Sequence, residues 1–286
     1  MIDDRSTDKS VEIIKKFSVK LITKRKRKAK NPVAETINLG IRHAGGRYIA
    51  LIEGDIRVEK ACLVKLLSNF KEKGLGIVSG YIMVLPTKSW INKLFYLLRR
   101  RVLLNTRKGN KTVNREIFPR MGFLIFRSDV FESVGLFDET ISATDLMLYL
   151  KAQAHGYNYL CDLSAIAYDI RGYTLRKLIQ TFLKQGIAMY QTGGSLLYMH
   201  EQLLFRYIIL APHYCLTLFR YGKSLISLLF PVYSLMRYVG TIVGYLGAFL
   251  KKEPKCPEYL RKKRKESEIR WMLNSFRKKF EDYLRN

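Results

Sequence analysis

Two acidic side chains stand directly after a short apolar run and are the first residues whose placement suggests chemistry. Residues 48–52 (YIALI) predict a buried strand, and Glu53 and Asp55 follow it with one glycine between them. Carboxylates at the carboxyl end of a strand lie at the sheet edge where ligands usually bind. They can hold a hard divalent cation, although acidic pairs are also common in plain turns.

A second acidic group opens the chain, in the run Asp3 to Asp8 (DDRSTD). Short carboxyl and hydroxyl side chains accept hydrogen bonds from a base or a ribose. The same residue types cap helices, and helical spacing of apolar residues begins at Val11. Ligand binding and helix capping therefore both remain open for this run.

A third carboxylate, Asp145, begins a predicted helix over residues 145–154 that ends before Gly156. A carboxylate at a helix start can simply complement the helix dipole. It can also serve as a general base that takes a proton from an acceptor hydroxyl.

Alternating strands and helices must position these carboxylates. Beyond residues 48–52, apolar runs predict strands at 76–85, 122–127 and 157–168, and periodic segments predict helices at 34–44, 61–73, 90–104 and 130–134. This alternation favours an α/β fold with a mostly parallel sheet flanked by helices.

The character of the chain changes after about residue 200. Residues 203–219 are apolar except for two positions, and residues 225–250 contain a single charge, Arg237. The second segment is long enough to span a bilayer. The pair predicts two spans or an interfacial hairpin, with two buried helices of a soluble bundle as the alternative.

Positive charge follows the apolar segment and indicates the cytoplasmic side of a membrane. The last part of the chain, residues 269–284, keeps its apolar residues on one helical face, typical of a helix on an anionic membrane or against a partner helix. We therefore divide the chain into a catalytic domain over 1–198, a membrane-associated helical region over 199–250 and a basic amphipathic tail over 251–286.

The net charge of +27 favours an anionic partner. Two basic runs stand out, residues 24–30 and 261–265, and each is equally well interpreted as a solvated surface stretch. We do not expect a nucleic-acid partner, because aromatic residues are not interleaved with these runs as stacking platforms. No pair of the four cysteines has the spacing of a zinc motif, and their positions show no disulfide framework.

Four blocks in order resemble the family 2 glycosyltransferases of the GT-A fold. They are residues 2–8 (IDDRSTD); residues 38–55, with NLG, GRYI and EGD; residues 134–139 (VGLFDE); and residues 144–157, with TDLML and GY. The resemblance covers roughly residues 1–190. It implies a nucleotide-diphosphate sugar donor, a bound Mg²⁺ or Mn²⁺, and an inverting transfer to a lipid-linked or polysaccharide acceptor.

Carried over by position, the resemblance implies that Asp4 contacts the donor's base or ribose and that Glu53 and Asp55 lie at the nucleotide sugar. Asp55 would ligate the metal, and Asp169 would be a second ligand where many members have a histidine. Asp145 would be the general base.

Three further expectations follow from this resemblance. Asp138 is expected to be a structural turn residue. The chain begins at the block that contains Asp3 and Asp4, and the family's first strand and helix are not in this sequence. That leaves a degenerate or truncated non-catalytic relative, acting in nucleotide or partner binding, as the alternative function.

Overall fold

A computed structural model describes residues 1–25, 29–107, 113–114, 121–194, 211–222 and 224–262. The predicted amphipathic tail helix, the centre of the first basic run and the beginning of the first apolar segment lie outside these residues. The expectations for those three segments therefore remain predictions.

The core is a six-stranded sheet with the order β3-β7-β5-β8-β4, and β6 pairs with β8 beside this path. Its strands are β3 (Tyr48–Ile52), β4 (Ile56–Val58), β5 (Leu75–Val84), β6 (Val113–Asn114), β7 (Phe123–Arg127) and β8 (Asn158–Asp169). A separate parallel pair joins β1 (Ile2–Asp3) to β2 (Ile22–Thr23). β3 hydrogen-bonds to β7 and is an edge strand of the described sheet.

Helices cover both faces of this sheet. They are α1 (Ser10–Ile14), α2 (Pro32–Arg42), α3 (Cys62–Ser68), α4 (Trp90–Arg107), α5 (Ser128–Val134), α6 (Thr144–Ala154), α7 (Leu175–Gln191), α8 (Ala211–Gly222) and α9 (Phe230–Leu250). Short 3₁₀ turns, Asn69–Lys71 and Leu225–Leu229, follow α3 and precede α9.

Alternation along β7 divides the core into two layers. Phe123 and Ile125 pack with α3 on one face, whereas Leu124 and Phe126 pack with α2, α5 and α6 on the other. Successive side chains of a strand point to opposite faces, so a strand that is buried on both faces needs apolar residues at every position. The α/β class with a sheet flanked by helices is thus confirmed.

Strand direction differs from the mostly parallel sheet that the sequence predicted. β5 and β8 are parallel, but β3–β7, β5–β7, β4–β8 and β6–β8 are antiparallel. The reason is that an apolar run indicates that a strand is buried, but not whether it runs parallel or antiparallel to its neighbours. The strands that the sequence did not predict, β1, β2, β4 and β6, have only two or three residues each, too few to show a pattern.

β3 has the predicted bounds but is not buried. Its side chains are half-buried or exposed, and Ile52 is 43% exposed. The cause is its position at the sheet edge, which five apolar residues alone do not reveal.

α7 was not predicted, and it joins the sheet to the apolar C-terminal helix. It packs on α9 through direct backbone contact at Gly186 and Gly244. A Cβ at Gly186 would lie 2.0 Å from the carbonyl oxygen of Thr241, and a Cβ at Gly244 would lie 2.1 Å from that of Leu183. Only glycine permits so close an approach between two helices.

The far side of α9 is apolar and exposed. Five residues at helical spacing are between 42% and 54% exposed: Val232, Leu235, Val239, Val243 and Leu246. Among the described residues, the segment Leu225–Leu250 is the one helical stretch that is long and apolar enough to cross a membrane.

We predict that Gly244→Ala lowers the free energy of unfolding by about 1–3 kcal/mol, because the added methyl forces two backbones apart. Gly247→Ala is the matched control, since nothing lies within 4 Å of its Cβ position. It should be neutral or stabilising by up to about 1 kcal/mol. Denaturant unfolding of the two purified variants compares them, and equal stability would contradict the packing.

Candidate active site

Three carboxylates meet at one edge of the sheet. Glu53 and Asp55 occupy the turn between β3 and β4, and Asp169 is the last residue of β8. The turn and β8 are joined because Ile56 pairs with Asp169 and the amide of Ile170 donates to the carbonyl of Asp55 at 3.1 Å. The resemblance predicted that Glu53, Asp55 and Asp169 would share one site, and the structure brings the three side chains together.

The guanidinium of Arg171 lies among these carboxylates. It donates to both oxygens of Asp169, from Nε at 3.0 Å and from Nη2 at 2.7 Å. Its Nε is also 3.3 Å from Oδ2 of Asp55, and its Nη1 is 3.8 Å from Oε2 of Glu53. One cation therefore faces three anions, and the cluster keeps a net negative charge when all are ionised.

In this arrangement, the pKa values of Glu53 and Asp169 shift in opposite directions. Burial raises the pKa of Glu53, although the charge of Arg171 lowers it in part. Burial also acts to raise the pKa of Asp169, but hydrogen bonds from Arg171 and Tyr173 outweigh it, so the pKa of Asp169 is below its ordinary value. The Tyr173 hydroxyl donates to Oδ2 of Asp169 at 2.6 Å.

Asn92 of α4 positions the loop that carries Arg171. This fully buried amide donates to the carbonyl of Arg171 at 2.9 Å and accepts from the amide of Tyr173 at 2.9 Å. Thr174 then caps the start of α7, with its hydroxyl accepting from the amide of Lys177. Sequence reasoning missed Arg171, Tyr173 and Asn92, although an arginine and a tyrosine within four residues of Asp169 were a signal.

Asp145 lies in the first turn of α6, as predicted. Oδ1 accepts from the amide of Leu146 at 2.8 Å, and burial raises the pKa of Asp145. The charge of Asp145 contributes to the raised pKa of Glu53, so the two carboxylates are within electrostatic range of each other.

The loop before α6 is held from two sides. On α2, the amide of Asn38 bonds both the backbone carbonyl and the amide of Phe137 at 2.9 Å, and Asn31 donates to the carbonyl of Ile141 at 2.8 Å. On α7, the side chain of Gln191 accepts from the amide of Ser142 at 2.7 Å. These contacts join separate sequence segments around Asp145.

Asp138 lies within this loop. Its Oδ1 accepts from both the amide and the hydroxyl of Thr140, at 2.8 and 2.6 Å. Its prediction as a turn residue agrees with this contact.

Two adjacent cavities open at Asp145. The first, of about 390 Å³, lies between α2, α6 and α7 and is lined by Asn31, Met121, Ile141, Gln191 and others. The second, of about 530 Å³, lies between α6, α7 and α9. Asp145 and Lys184 line both.

Asp4 is held in an ion pair with a buried lysine. Oδ1 of Asp4 lies 2.9 Å from Nζ of Lys24, which also lies 2.9 Å from Glu35 and is only 5% exposed. The first residue of the basic run 24–30 is therefore buried, and a solvated stretch does not describe it.

The neighbours of Asp4 have local roles. Asp3 accepts from the amides of Arg5 and Ser6, and Asp8 accepts from the amide of Ser10 at 2.9 Å. Local hydrogen bonding thus accounts for Asp3 and Asp8.

The carboxylates of Glu53, Asp55 and Asp169 are suitable ligands for a divalent cation, but they are not arranged around one. Oδ1 of Asp55 is buried without a hydrogen-bond partner, as a carboxylate oxygen awaiting a cation would be. Within the described ranges, however, no group of three or more His, Cys, Asp or Glu side chains is spaced to hold a metal ion. Instead, the guanidinium of Arg171 lies among the three carboxylates.

The chain is similar to known glycosyltransferases in sequence and in fold. A family model described as glycosyl transferase family 2 matches residues 1–135. No curated protein matches the sequence. The structure is similar to that of the mannosyltransferase PcManGT from Pyrobaculum calidifontis in complex with GDP-Man and Mn²⁺. The TM-score is 0.51 at 15% identity, over 86% of this chain and 76% of that one.

A further likeness is to TarS from S. aureus in complex with UDP-GlcNAc, with a TM-score of 0.46 at 13% identity, over 88% of this chain and 82% of that one. The likeness to PcManGT shows an architecture of the GT-A class of α/β folds. Residues 1–135, just under half of the chain, match the glycosyl transferase family 2 model, as the sequence blocks predicted, and this match supports glycosyl transfer as the activity.

We predict that Arg171→Gln lowers the free energy of unfolding at neutral pH by about 1–3 kcal/mol, because Asp169 stays buried and loses its cation. A carboxyl whose folded pKa is depressed stabilises above its unfolded pKa of about 3.9, and this contribution is lost as the pH falls through the folded value. The difference between parent and variant should therefore shrink on acidification.

Denaturant unfolding at several pH values measures this difference. Arg176→Gln, an exposed arginine five residues further on, is the matched control and should change little. A pH-independent difference would mean that the Asp169 charge is not the cause.

Proposed function

We propose that this chain transfers a sugar from a nucleotide-diphosphate sugar to a lipid-linked or polysaccharide acceptor, with inversion and with metal assistance. One observation carries the proposal. In a family 2 chain, a cluster of carboxylates at the ends of β3 and β8 lies within electrostatic range of Asp145, which borders two cavities.

The donor occupies the acidic edge in this proposal. Asp4 contacts the base or ribose, and Glu53 and Asp55 lie beside the sugar diphosphate. Asp55 and Asp169 would hold Mg²⁺ or Mn²⁺, and the bound ion would neutralise charge on the departing diphosphate. The free Oδ1 of Asp55 supports that role, whereas Asp169 becomes available only when Arg171 withdraws.

The acceptor approaches from the cavity side. Its oxygen attacks the anomeric carbon on the face opposite the diphosphate, the carbon–oxygen bond to the diphosphate breaks, and Asp145 takes the acceptor's proton. The raised pKa of Asp145 supports this role, because a carboxylate with a higher pKa is a stronger base. Asn31, Asn38 and Gln191 fix the loop that precedes α6, the helix that carries Asp145 in its first turn.

The apolar helix brings this site to a membrane in the proposal. We assign residues 1–198 to the catalytic domain, 199–250 to membrane attachment and 251–286 to a basic tail, with catalysis on the cytoplasmic side. Support comes from the exposed apolar side of α9 and from Lys251 and Lys252, which follow it directly.

Arg171 gives the alternative function a specific basis. If its guanidinium stays among the carboxylates permanently, the chain binds a nucleotide or a partner without transferring sugar. A screen of the purified chain against UDP- and GDP-sugars with Mn²⁺ decides between the two. Released nucleotide with any donor supports transfer, and donor binding without release supports the alternative.

For the base, we predict that Asp145→Asn lowers kcat by about 10²- to 10⁴-fold while donor affinity stays near that of the parent. In the parent, kcat/KM should fall on acidification at a higher pH than an ordinary aspartate with a pKa of about 3.9 would give, because burial raises the pKa of Asp145. Asp138→Asn, in the same loop, is the control and should retain activity. Transfer by Asp145→Asn at the parent rate would remove Asp145 from the mechanism.

For the cation, we predict that Asp55→Asn abolishes Mn²⁺-dependent transfer. The variant should also bind Mn²⁺ about tenfold or more weakly than the parent, measured by calorimetry without donor. Glu59→Gln, an acid four residues further on that accepts a hydrogen bond from Tyr168, is the matched control. Unchanged Mn²⁺ affinity in Asp55→Asn would rule out Asp55 as a ligand.

A further inference from the structure

The larger of the two cavities at Asp145 has a lining that suits one kind of ligand. Its volume is about 530 Å³, and it lies between the beginning of α6, the second half of α7 and the middle of α9. Apolar side chains such as Leu146, Ala188 and Met189 form much of the wall. The cavity therefore offers apolar contact close to the carboxylate that we assign as the base.

Two cations line the same cavity. Lys184 comes from α7 and Arg237 from α9, and Asp145 is the one carboxylate among the described lining residues. With all three ionised, the lining carries a net positive charge, which favours an anionic ligand. Phosphate oxygens accept hydrogen bonds from both ammonium and guanidinium groups.

Arg237 has an unusual position for a charged side chain. It is the single Asp, Glu, Lys or Arg residue in the 26 residues of Leu225–Leu250. A charge within so apolar a helix is costly and is typical of a binding function. Arg237 lies on the same side of α9 as Thr241 and Gly244, which is the side that packs on α7, and the exposed apolar residues lie opposite.

The apolar wall, the two cations and the position next to the exposed side of α9 together indicate the class of ligand. A soluble phosphorylated sugar would match the charges but not the apolar wall, and a neutral lipid would match the wall but not the charges. The exposed apolar side of α9 also places the cavity one helix diameter, about 10 Å, from any bilayer that this side enters. An amphiphile that carries a phosphate meets all three conditions.

We propose that this cavity binds the phosphate or diphosphate head group of a lipid acceptor between Lys184 and Arg237, with its chain against the apolar wall. The two cations hold this head group next to Asp145, so that a hydroxyl of the sugar carried on the head group reaches the carboxylate that takes its proton. This inference rests on the proposed function for the role of the bound lipid, but the binding site itself is testable without any transfer.

Calorimetry on the full chain tests binding, with dodecyl phosphate as the probe, below its critical micelle concentration. Inorganic phosphate lacks the tail and dodecyl maltoside lacks the charge, so both should bind more weakly. Lys184→Gln and Arg237→Gln should each weaken dodecyl phosphate binding by about tenfold, the effect of losing one charge-assisted contact. Arg237→Lys should restore part of it and covers the case in which the glutamine variant does not fold.

Lys177→Gln and Arg220→Gln are the matched controls, because both cations lie on neighbouring helical surfaces outside the cavity. They should bind dodecyl phosphate like the parent. If inorganic phosphate binds as tightly as dodecyl phosphate, or if the controls lose as much affinity as the cavity variants, the lipid site is refuted.

Kinetics separate this inference from the proposed function. Where transfer occurs, Arg237→Gln should raise the acceptor KM and leave the donor KM unchanged. Dodecyl phosphate binding that needs Lys184 and Arg237 in a chain without transferase activity would uphold the site and refute the proposed function. Transfer with an unchanged acceptor KM in both glutamine variants would refute the site and uphold the function.

Discussion

The ion pair between Arg171 and Asp169 is the interaction on which the acidic edge depends. Asp169 ends β8 and is almost fully buried, so its charge requires a cation. Arg171 supplies it and, through the same guanidinium, reaches Asp55 and Glu53 in the turn after β3. Two strands that are not neighbours in the sheet thereby present their carboxylates to the same space.

The loop before α6 depends on amide side chains. Asn31 and Asn38 of α2 and Gln191 of α7 bond the backbone of the loop before α6, and none of them changes charge. Such contacts hold Asp145 in place without neutralising it. The acidic edge is therefore held by charge, and the loop before α6 by neutral hydrogen bonds.

The sequence predicted the local features of this fold well. β5, β7 and β8 lie within one residue of their predicted bounds, and α6 begins one residue before Asp145. These elements have strong periodicity or long apolar runs, which burial imposes directly. The family blocks added the order of the carboxylates along the chain, and residues 1–135 match the family model that these blocks predicted.

Contacts between distant segments escaped prediction. Arg171 reaches Asp55, 116 positions earlier in the chain, and nothing near Arg171 indicates that partner. The exposure of β3 depends on which strands pair with it, and the antiparallel directions depend on how the connections cross the sheet. α7 was missed in spite of its periodicity, because Gly186 weakens the helical signal. That glycine is required by a close contact with α9, which the sequence does not reveal.

α7 is fastened at three places along its length. Tyr173 and Thr174 precede it at the acidic edge, Gly186 contacts α9, and Gln191 ends it at the loop before Asp145. Its 17 residues span about 25 Å, and each residue turns the helix by about 100°. Inserting or deleting one residue would rotate Gln191 away from Ser142 or Gly186 away from Thr241. The helix can thus vary in its exposed side chains during evolution, but its number of residues is fixed by the three contacts it has to make at once.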